Sequence, residues 1–336
     1  MIKNILVSRV DNLGDVILTL PLGGMLKKIY PDAKITFLLK SYTAPVGKIS
    51  LDFDNLMLWD EWENKTDSEI VEQLKSQSFD MVVHVYPVKR IAALCYKAKI
   101  PIRIATAHRL YNWKYCNKLS FFSRKSSDFH ESQLNLKLIE SLSKSVETTA
   151  DDLKLILEHV TIDYASIHKN SMNLEGIIDK NKFNLILHPK SFGSALEWPL
   201  ELFRELVEKL DPNKYNVIVT GTKKEEVHLE MGFLNPLRDK VVSCVGTLSL
   251  EQLMALMLKA DGIIAASTGP LHLGSILGLH TLGLFPSKRP MFPLRWLPIG
   301  PRTTFLLSRK SGAMNDIKVS AVLKKISYWD KLVNDI

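Results

Sequence analysis

Apolar and polar residues alternate between two spacings along this chain. Lys3 to Ser8 is a short apolar, β-branched run, and Asp15 to Ile29 carries apolar residues at helical spacing. Strand-like runs recur at Lys34 to Leu39, Asn55 to Trp59, Met81 to Val85 and Pro101 to Ala105, with amphipathic segments between several of them. His130 to Ser143 places Leu134, Leu138 and Leu142 at i, i+4 and i+8, which reads as a helix closing this half. From Ser145 to Lys180 the pattern loosens, which puts a domain junction near residue 170. A second series then predicts strands at Phe183–Leu187, Tyr215–Val219, Val241–Cys244, Gly262–Ala265 and Thr281–Leu284. Helices are predicted between them at Leu200–Leu210, Lys223–Glu230, Ser249–Lys259 and Pro270–Leu277. Such alternation means parallel sheets covered by helices on both faces. The expected architecture is two similar α/β halves with a cleft between them, without tandem repeats or low-complexity tracts.

Composition narrows this. The 336 residues suit two domains of about 150 to 170 residues each. With 46% hydrophobic and 24% charged residues, a disordered chain is excluded. Apolar stretches such as Leu253 to Leu258 are cut by Lys259 and Asp261, far short of the ~20 residues of a membrane span. Ile5 to Val7 is followed at once by Arg9 and Asp11, so no signal-peptide core is expected. Cys95, Cys116 and Cys244 are odd in number and widely spaced, which fits a reducing, cytoplasmic setting better than disulfides or a zinc site.

The net charge of +8 is unevenly placed. Between Asp80 and Asp128 there is no acidic residue, but there are ten basic ones, among them Arg90, Arg103 and Arg109. A solvated basic surface would look the same. A field that attracts a polyanion is the functional reading: nucleic acid, an anionic lipid headgroup or a phosphorylated sugar. His108, Tyr111, Trp113 and Tyr115 keep base stacking open as an option.

Ligands of doubly wound sheets sit beyond the carboxyl ends of the strands, and the candidate loops lie largely there. After the first strand, Ser8 to Asp15 has only Gly14 where a dinucleotide site wants three glycines, so a Rossmann dehydrogenase is disfavoured. That turn holds Asp11 and Asp15 instead. Either a helix N-cap or a general base fits Asp15. Ala266 to His272 follows a strand and opens a helix, so its N–H groups and dipole could cradle a diphosphate; a plain strand-to-helix turn is the alternative, with His272 a packed histidine. Glu225, beyond the Thr220-Gly221 turn, could accept ribose hydroxyls or simply open a helix. In His188 to Pro199, Lys190 could offset phosphate charge as a leaving group departs. Trp198-Pro199 starts the next helix.

In order, these segments resemble glycosyltransferase family 9, the bacterial heptosyltransferases, over nearly the whole chain. The resemblance rests on Asn12-Leu13-Gly14-Asp15-Val16 with Leu20-Pro21, on Gly193 to Pro199, on Gly246-Thr247-Leu248-Ser249-Leu250 and on Ser267-Thr268-Gly269-Pro270-Leu271-His272-Leu273. It implies the GT-B fold: an acceptor-binding Rossmann-like domain over residues 1–170, a nucleotide-sugar domain over 171–318, and a terminal helix over 319–336 that returns to the first domain. Asp15 then matches the family's base, Thr268, Gly269 and His272 its diphosphate loop with Ser267 and Ser191 beside it, Glu225 the ribose-binding acid and Leu248 the residue against the adenine. Arg9, Arg90, Arg103 and Arg109 would meet the acceptor. Two positions depart from the family: Ser267 stands where Asp is usual, and Leu196 where Lys is common. Lys190 would take over, as His188-Pro189-Lys190-Ser191 and Arg289-Pro290-Met291 resemble a first-heptose subgroup.

The implied reaction is an inverting single displacement from ADP-heptose to the Kdo-bearing inner core of lipopolysaccharide, with no metal, no resident cofactor and no nucleic-acid partner. It would take place at the inner face of the cytoplasmic membrane. Asp52-Phe53-Asp54 has a metal-motif spacing but precedes a strand, so it reads as a solvated turn. Rivals are a transferase with another nucleotide sugar, a GT-B epimerase, an idle nucleotide-sugar binder and a nucleic-acid-binding protein.

Overall fold

The computed structural model describes residues 2–124, 127–143, 156–169, 174–191, 193–309 and 313–329. The chain divides into two compact units, Met1–Tyr164 and Ala165–Ile336.

The first unit is built on six parallel strands, β1 (Asn4–Ser8), β2 (Lys34–Leu39), β3 (Asn55–Leu58), β4 (Met81–His84), β5 (Ile102–Thr106) and β6 (Lys118–Ser120), in the order β3-β2-β1-β4-β5-β6. β1 and β4 are covered on both faces, so they are apolar without alternation: Ile5, Leu6, Val7, Met81, Val82 and Val83 are all fully buried. The helical spacing from Asp15 to Ile29 becomes two helices, α1 (Leu13–Ile17) and α2 (Leu20–Ile29). Pro21 is the cause, since it has no N–H for the Ile17 carbonyl. At Gly24 in α2 the His159 carbonyl comes so close that a Cβ would lie 2.1 Å from its oxygen. Further helices are α3 (Ala44–Lys48), α4 (Asp67–Ser76), α5 (Lys89–Lys97), α6 (Leu110–Tyr115) and α7 (Glu131–Lys137). α4 starts at a capping box, with Thr66 accepting from Glu69 N–H and Glu69 from Thr66 N–H.

The second unit has β7 (Phe183–His188), β8 (Tyr215–Val219), β9 (Val242–Ser243), β10 (Gly262–Ala266), β11 (His280–Phe285) and β12 (Thr303–Leu307), ordered β12-β11-β10-β7-β8-β9 and again parallel throughout. Counted within each unit, both sheets run 3-2-1-4-5-6, the doubly wound order. The protein is α/β with the GT-B fold. The second core joins Phe183, Leu185 and Leu187 to Trp198, Phe203, Leu206 and Trp329. Each large side chain so buried contributes roughly 1.5–3 kcal/mol.

Several expectations need correction. β6 and β12 were not expected: three residues are too few to show a period, and the half-covered β12 mixes exposed Phe305 and Leu307 with polar Thr303. The helix expected over Lys223–Glu230 is one turn, Glu226–Leu229, passing into a wider coil at Glu230–Leu234. The closing helix, Val319–Ile326, buries Val319, Val322 and Ile326 in the second unit's core, and residues 330–336 of the expected 319–336 helix lie outside the described residues.

Candidate active site

A doubly wound sheet opens a crevice where its strand order reverses, between the first and fourth strands. In the first unit this point lies between β1 and β4, paired Ser8 to His84. The loop after β1 carries Arg9, Asp11 and Asp15. Arg9 is buried; its Nε donates to Asp11 at 2.7 Å, one terminal nitrogen to Glu131 at 3.2 Å and the other to Asp15. Glu131 also accepts from Arg124. Glu131 is well set to do this because it opens α7, where the helix dipole favours a carboxylate, and a capping box between His130 and Gln133 fixes that start. Asn135 of the same helix donates to the Leu18 carbonyl at the break between α1 and α2. The anchor therefore comes from 122 residues away in sequence.

Burial raises Asp11 to about 6, with Arg9 opposing and Asp15 adding to the rise. Burial alone would lower Arg9, but the surrounding carboxylates hold it above its usual value. Tyr42 donates to the Asp11 carbonyl at 2.8 Å, and burial with both aspartates nearby raises its phenol to about 12. Glu131 is 1% exposed and Asp15 13%, so Asp15 is the more reachable of the two.

The second unit's reversal point lies between β7 and β10. Thr268 caps the Gly269–Ile276 helix without a side-chain capping bond. Its hydroxyl is buried and has no hydrogen-bond partner among the described residues. The N–H groups of Gly269 and Leu271 have no intrahelical acceptor by position, and Pro270 has none to give. His272, in the same turn, is buried, and its N–H bonds the Thr268 carbonyl at 3.2 Å. After β8, buried Glu225 accepts from the Thr222 N–H at 2.7 Å and hydroxyl at 2.9 Å, which leaves its other oxygen available. His188 ends β7 with Nδ1 3.0 Å from the Thr220 hydroxyl. Burial lowers it to about 4, against Glu225 and Glu197, so it is neutral at pH 7. Glu197 holds Lys190 and accepts from the Ser191 N–H at 2.7 Å; burial pushes its carboxyl up, and Lys190 and Ser191 bring the net below the usual value. Leu248 is half-buried just before Ser249, which caps the Leu250–Met257 helix.

Residues 68–327 match the model of glycosyltransferase family 9 (heptosyltransferase). The chain belongs to this family. It is 30% identical over 304 residues, 88% of this chain and 86% of the relative, to a Haemophilus influenzae protein provisionally named a glycosyltransferase. It is 22% identical to a lipopolysaccharide core heptosyltransferase of the same organism, across 86% of this chain and 80% of that one. Among solved structures it resembles the Escherichia coli ADP-heptose lipopolysaccharide heptosyltransferase II, with a TM-score of 0.77, 14% identity, and coverage of 97% of this chain and 98% of that one.

The family match takes in the second unit's loops and begins after the Arg9–Asp15 loop. The other arginines of this family-9 glycosyltransferase sit differently from the sequence expectation. Arg9 is closed off among three acids. Arg103 donates to the carbonyls of Tyr115 at 2.7 Å and Ile100, so it staples the ends of α6 and β5. Arg90 donates to Asp67 at 3.3 Å and to the Lys65 carbonyl at 3.2 Å, with its guanidinium over Trp59. Of the four, Arg109 alone is exposed. Asp52 is also not solvated: it is buried and accepts from the Thr161 N–H, and Asp54 accepts from Ile35 N–H and Lys27. No group of three or more His, Cys, Asp or Glu suited to a metal occurs among the described residues. Sequence reading gave no role to Glu131 or Glu197, and took Arg124 only as one of the ten basic residues of the acid-free interval. Only the acid at a helix start hinted at Glu131.

Proposed function

We propose that this family-9 enzyme transfers a heptose from ADP-heptose to the Kdo-bearing inner core of lipopolysaccharide, in the first-heptose step, with inversion. The observation that carries the reading is the unpartnered, buried Thr268 hydroxyl at a helix N-terminus at the second unit's reversal point. A buried hydroxyl without a partner costs about 1–3 kcal/mol, and a diphosphate oxygen would relieve it. The Gly269 and Leu271 N–H groups and Lys190 would offset the charge left on the departing ADP. Glu225 would accept from the ribose, with Leu248 against the adenine and Ser267, Ser191 and His272 beside the diphosphate.

In this reading the first unit, residues 1–170 as domain, binds the acceptor, and residues 171–318 bind the donor. Asp15 takes the proton of an acceptor hydroxyl as that oxygen attacks the anomeric carbon, and the bond from that carbon to the diphosphate oxygen breaks. Arg9 fixes the orientation of Asp15, with Glu131 behind it. The resident machinery needs no cofactor. The work would be done on the cytoplasmic side, at the inner face of the membrane; no described helix is long and apolar enough to cross one.

Incubation with ADP-heptose and Kdo-lipid A, read by product mass, tests the proposal. The expected product carries one added heptose. Conversion of the nucleotide sugar without acceptor would make the protein an epimerase, and no turnover with protection by another nucleoside diphosphate would move the donor. Ser267 and Leu196, where the family usually has Asp and Lys, favour that second reading, a different nucleotide sugar on another surface glycan.

A further inference from the structure

The acid-free interval supplies an exposed surface that the transfer chemistry does not use. α6 follows β5 at the carboxyl edge of the first sheet, and Phe121 follows β6 at the same edge. Leu110 is 90% exposed, Phe121 75% and Trp113 58%. Leu110 and Trp113 stand three apart on α6 and so share a face. The Trp113 and Phe121 rings meet edge to face, 6.0 Å between centroids. Trp113 is held from below, its indole N–H donating to the Ala107 carbonyl at 2.9 Å. Tyr111 and Asn112 turn inward, to the Pro87 and Thr106 carbonyls, so α6 has one anchored face and one bare apolar face. Exposed Arg109 immediately precedes Leu110, and exposed Lys114 lies one helical turn after Leu110 on the same side of α6.

Exposed apolar side chains with cations beside them match a surface that is oily below and anionic above. A second copy of the chain is a poor fit, because a symmetric contact would set these cations against their own kind. Nucleic acid is also a poorer fit. Leu110, the most exposed of the three, has no π face to stack on a base, while Trp at the headgroup level with Lys and Arg beside it suits a bilayer interface. We propose that the Leu110–Trp113–Phe121 face is a membrane-docking surface that inserts shallowly into an anionic lipid leaflet. It rests on the reading of a membrane-borne glycolipid acceptor, since it lies at the same sheet edge as the Arg9–Asp15 loop.

The test uses the full chain and sedimentation with vesicles, either phosphatidylcholine alone or phosphatidylcholine with an equal part of phosphatidylglycerol. Binding should require the anionic lipid and weaken with salt. Leu110→Ser with Phe121→Ser should lower it by about tenfold or more, two lost apolar insertions. Both side chains are exposed, and an unchanged Tm of the variant checks that the fold is kept. The cysteines Cys95, Cys116 and Cys244 are buried, so Leu110→Cys can be labelled with a polarity-sensitive dye. Its emission should shift to the blue on anionic vesicles, while a dye at exposed Lys34→Cys, on the opposite edge of the sheet, should not respond. Absence of vesicle binding, binding that survives the double substitution, or a shift at residue 34 would overturn the proposal. So would displacement of the protein from vesicles by a single-stranded oligonucleotide whose own binding needs Leu110 and Phe121. If ADP gave the wild-type chain no protection while vesicle binding behaved as expected, the donor reading would fail and the docking surface would stand.

Discussion

At the reversal point of the first sheet a buried guanidinium is met by three carboxylates, and at that of the second a buried hydroxyl has no partner among the described residues. The topology is shared, so the fold cannot explain the contrast. The loops do. After β1 the chain carries Arg9, a charge too costly to bury alone, and it draws acids from its own loop and from α7. After β10 it carries only small residues and Pro270, which leave helix N–H groups and a hydroxyl open. On the proposed reading, the catalytic cluster is satisfied within the protein, whereas the loop meant for an anionic ligand leaves its donors for that ligand.

The largest test of that contrast is Asp15→Asn. Turnover should drop by ~10²–10⁴, as for a lost general base, with the fold and ADP affinity kept. A crippled Asp11→Asn beside a nearly normal Asp15→Asn would hand the role to Asp11, whose raised value near 6 would then appear as a break in the pH–rate profile.

Glu131→Gln attacks the closed cluster itself. It leaves Arg9 and Arg124 short of a buried counter-charge and should cost about 3 kcal/mol in a denaturant melt. A loss within experimental error would mean the cluster is not a structural anchor.

The open site should respond the other way. Thr268→Val removes an unpartnered hydroxyl at nearly constant shape, so the ligand-free protein should hold or gain up to about 1 kcal/mol. ADP at ~100 times its Kd should protect the wild type by about 2.7 kcal/mol, more than UDP or GDP, and the variant by clearly less. Thermal melts with each nucleotide settle both points; equal protection by all three nucleotides removes the adenine preference.

His188 sharpens the comparison by pH. Unfolded, it binds a proton below about 6.5, while folded it refuses one until about 4. Stability therefore is lost as pH falls through that window, by roughly 3 kcal/mol. His188→Asn should flatten the dependence of Tm on pH. His84, also lowered to about 4 by burial and by Arg103, acts with the same sign in the first unit. Asp11 acts with the opposite sign there, since the folded state holds its proton longer as pH rises from about 4 to about 6.

The smallest effect belongs to Arg109→Ala, a few-fold rise in acceptor KM that fades as salt increases, with donor affinity unchanged. Arg90→Ala and Arg103→Ala should instead lower stability, because both are spent on carbonyl groups of their own unit.

How much was legible in the sequence follows from the range of each interaction. Strand and helix periods are local, so Lys34–Leu39 and Tyr215–Val219 emerged at their observed bounds, and the parallel class followed from their alternation. The loops holding Asp15, Lys190, Glu225 and Thr268 were found because a β-to-α turn is also local. The tertiary structure alone decided that Glu131 reaches Arg9 across 122 residues, that Glu197 claims Lys190, and that Arg103 is taken up by backbone while Arg109 is not. A charged residue reads the same in a sequence whether water, a carbonyl or a distant carboxylate solvates it. Only packing selects the partner, because burial makes an unpaired charge too costly to leave and the nearest counter-charge in space is seldom the nearest along the chain.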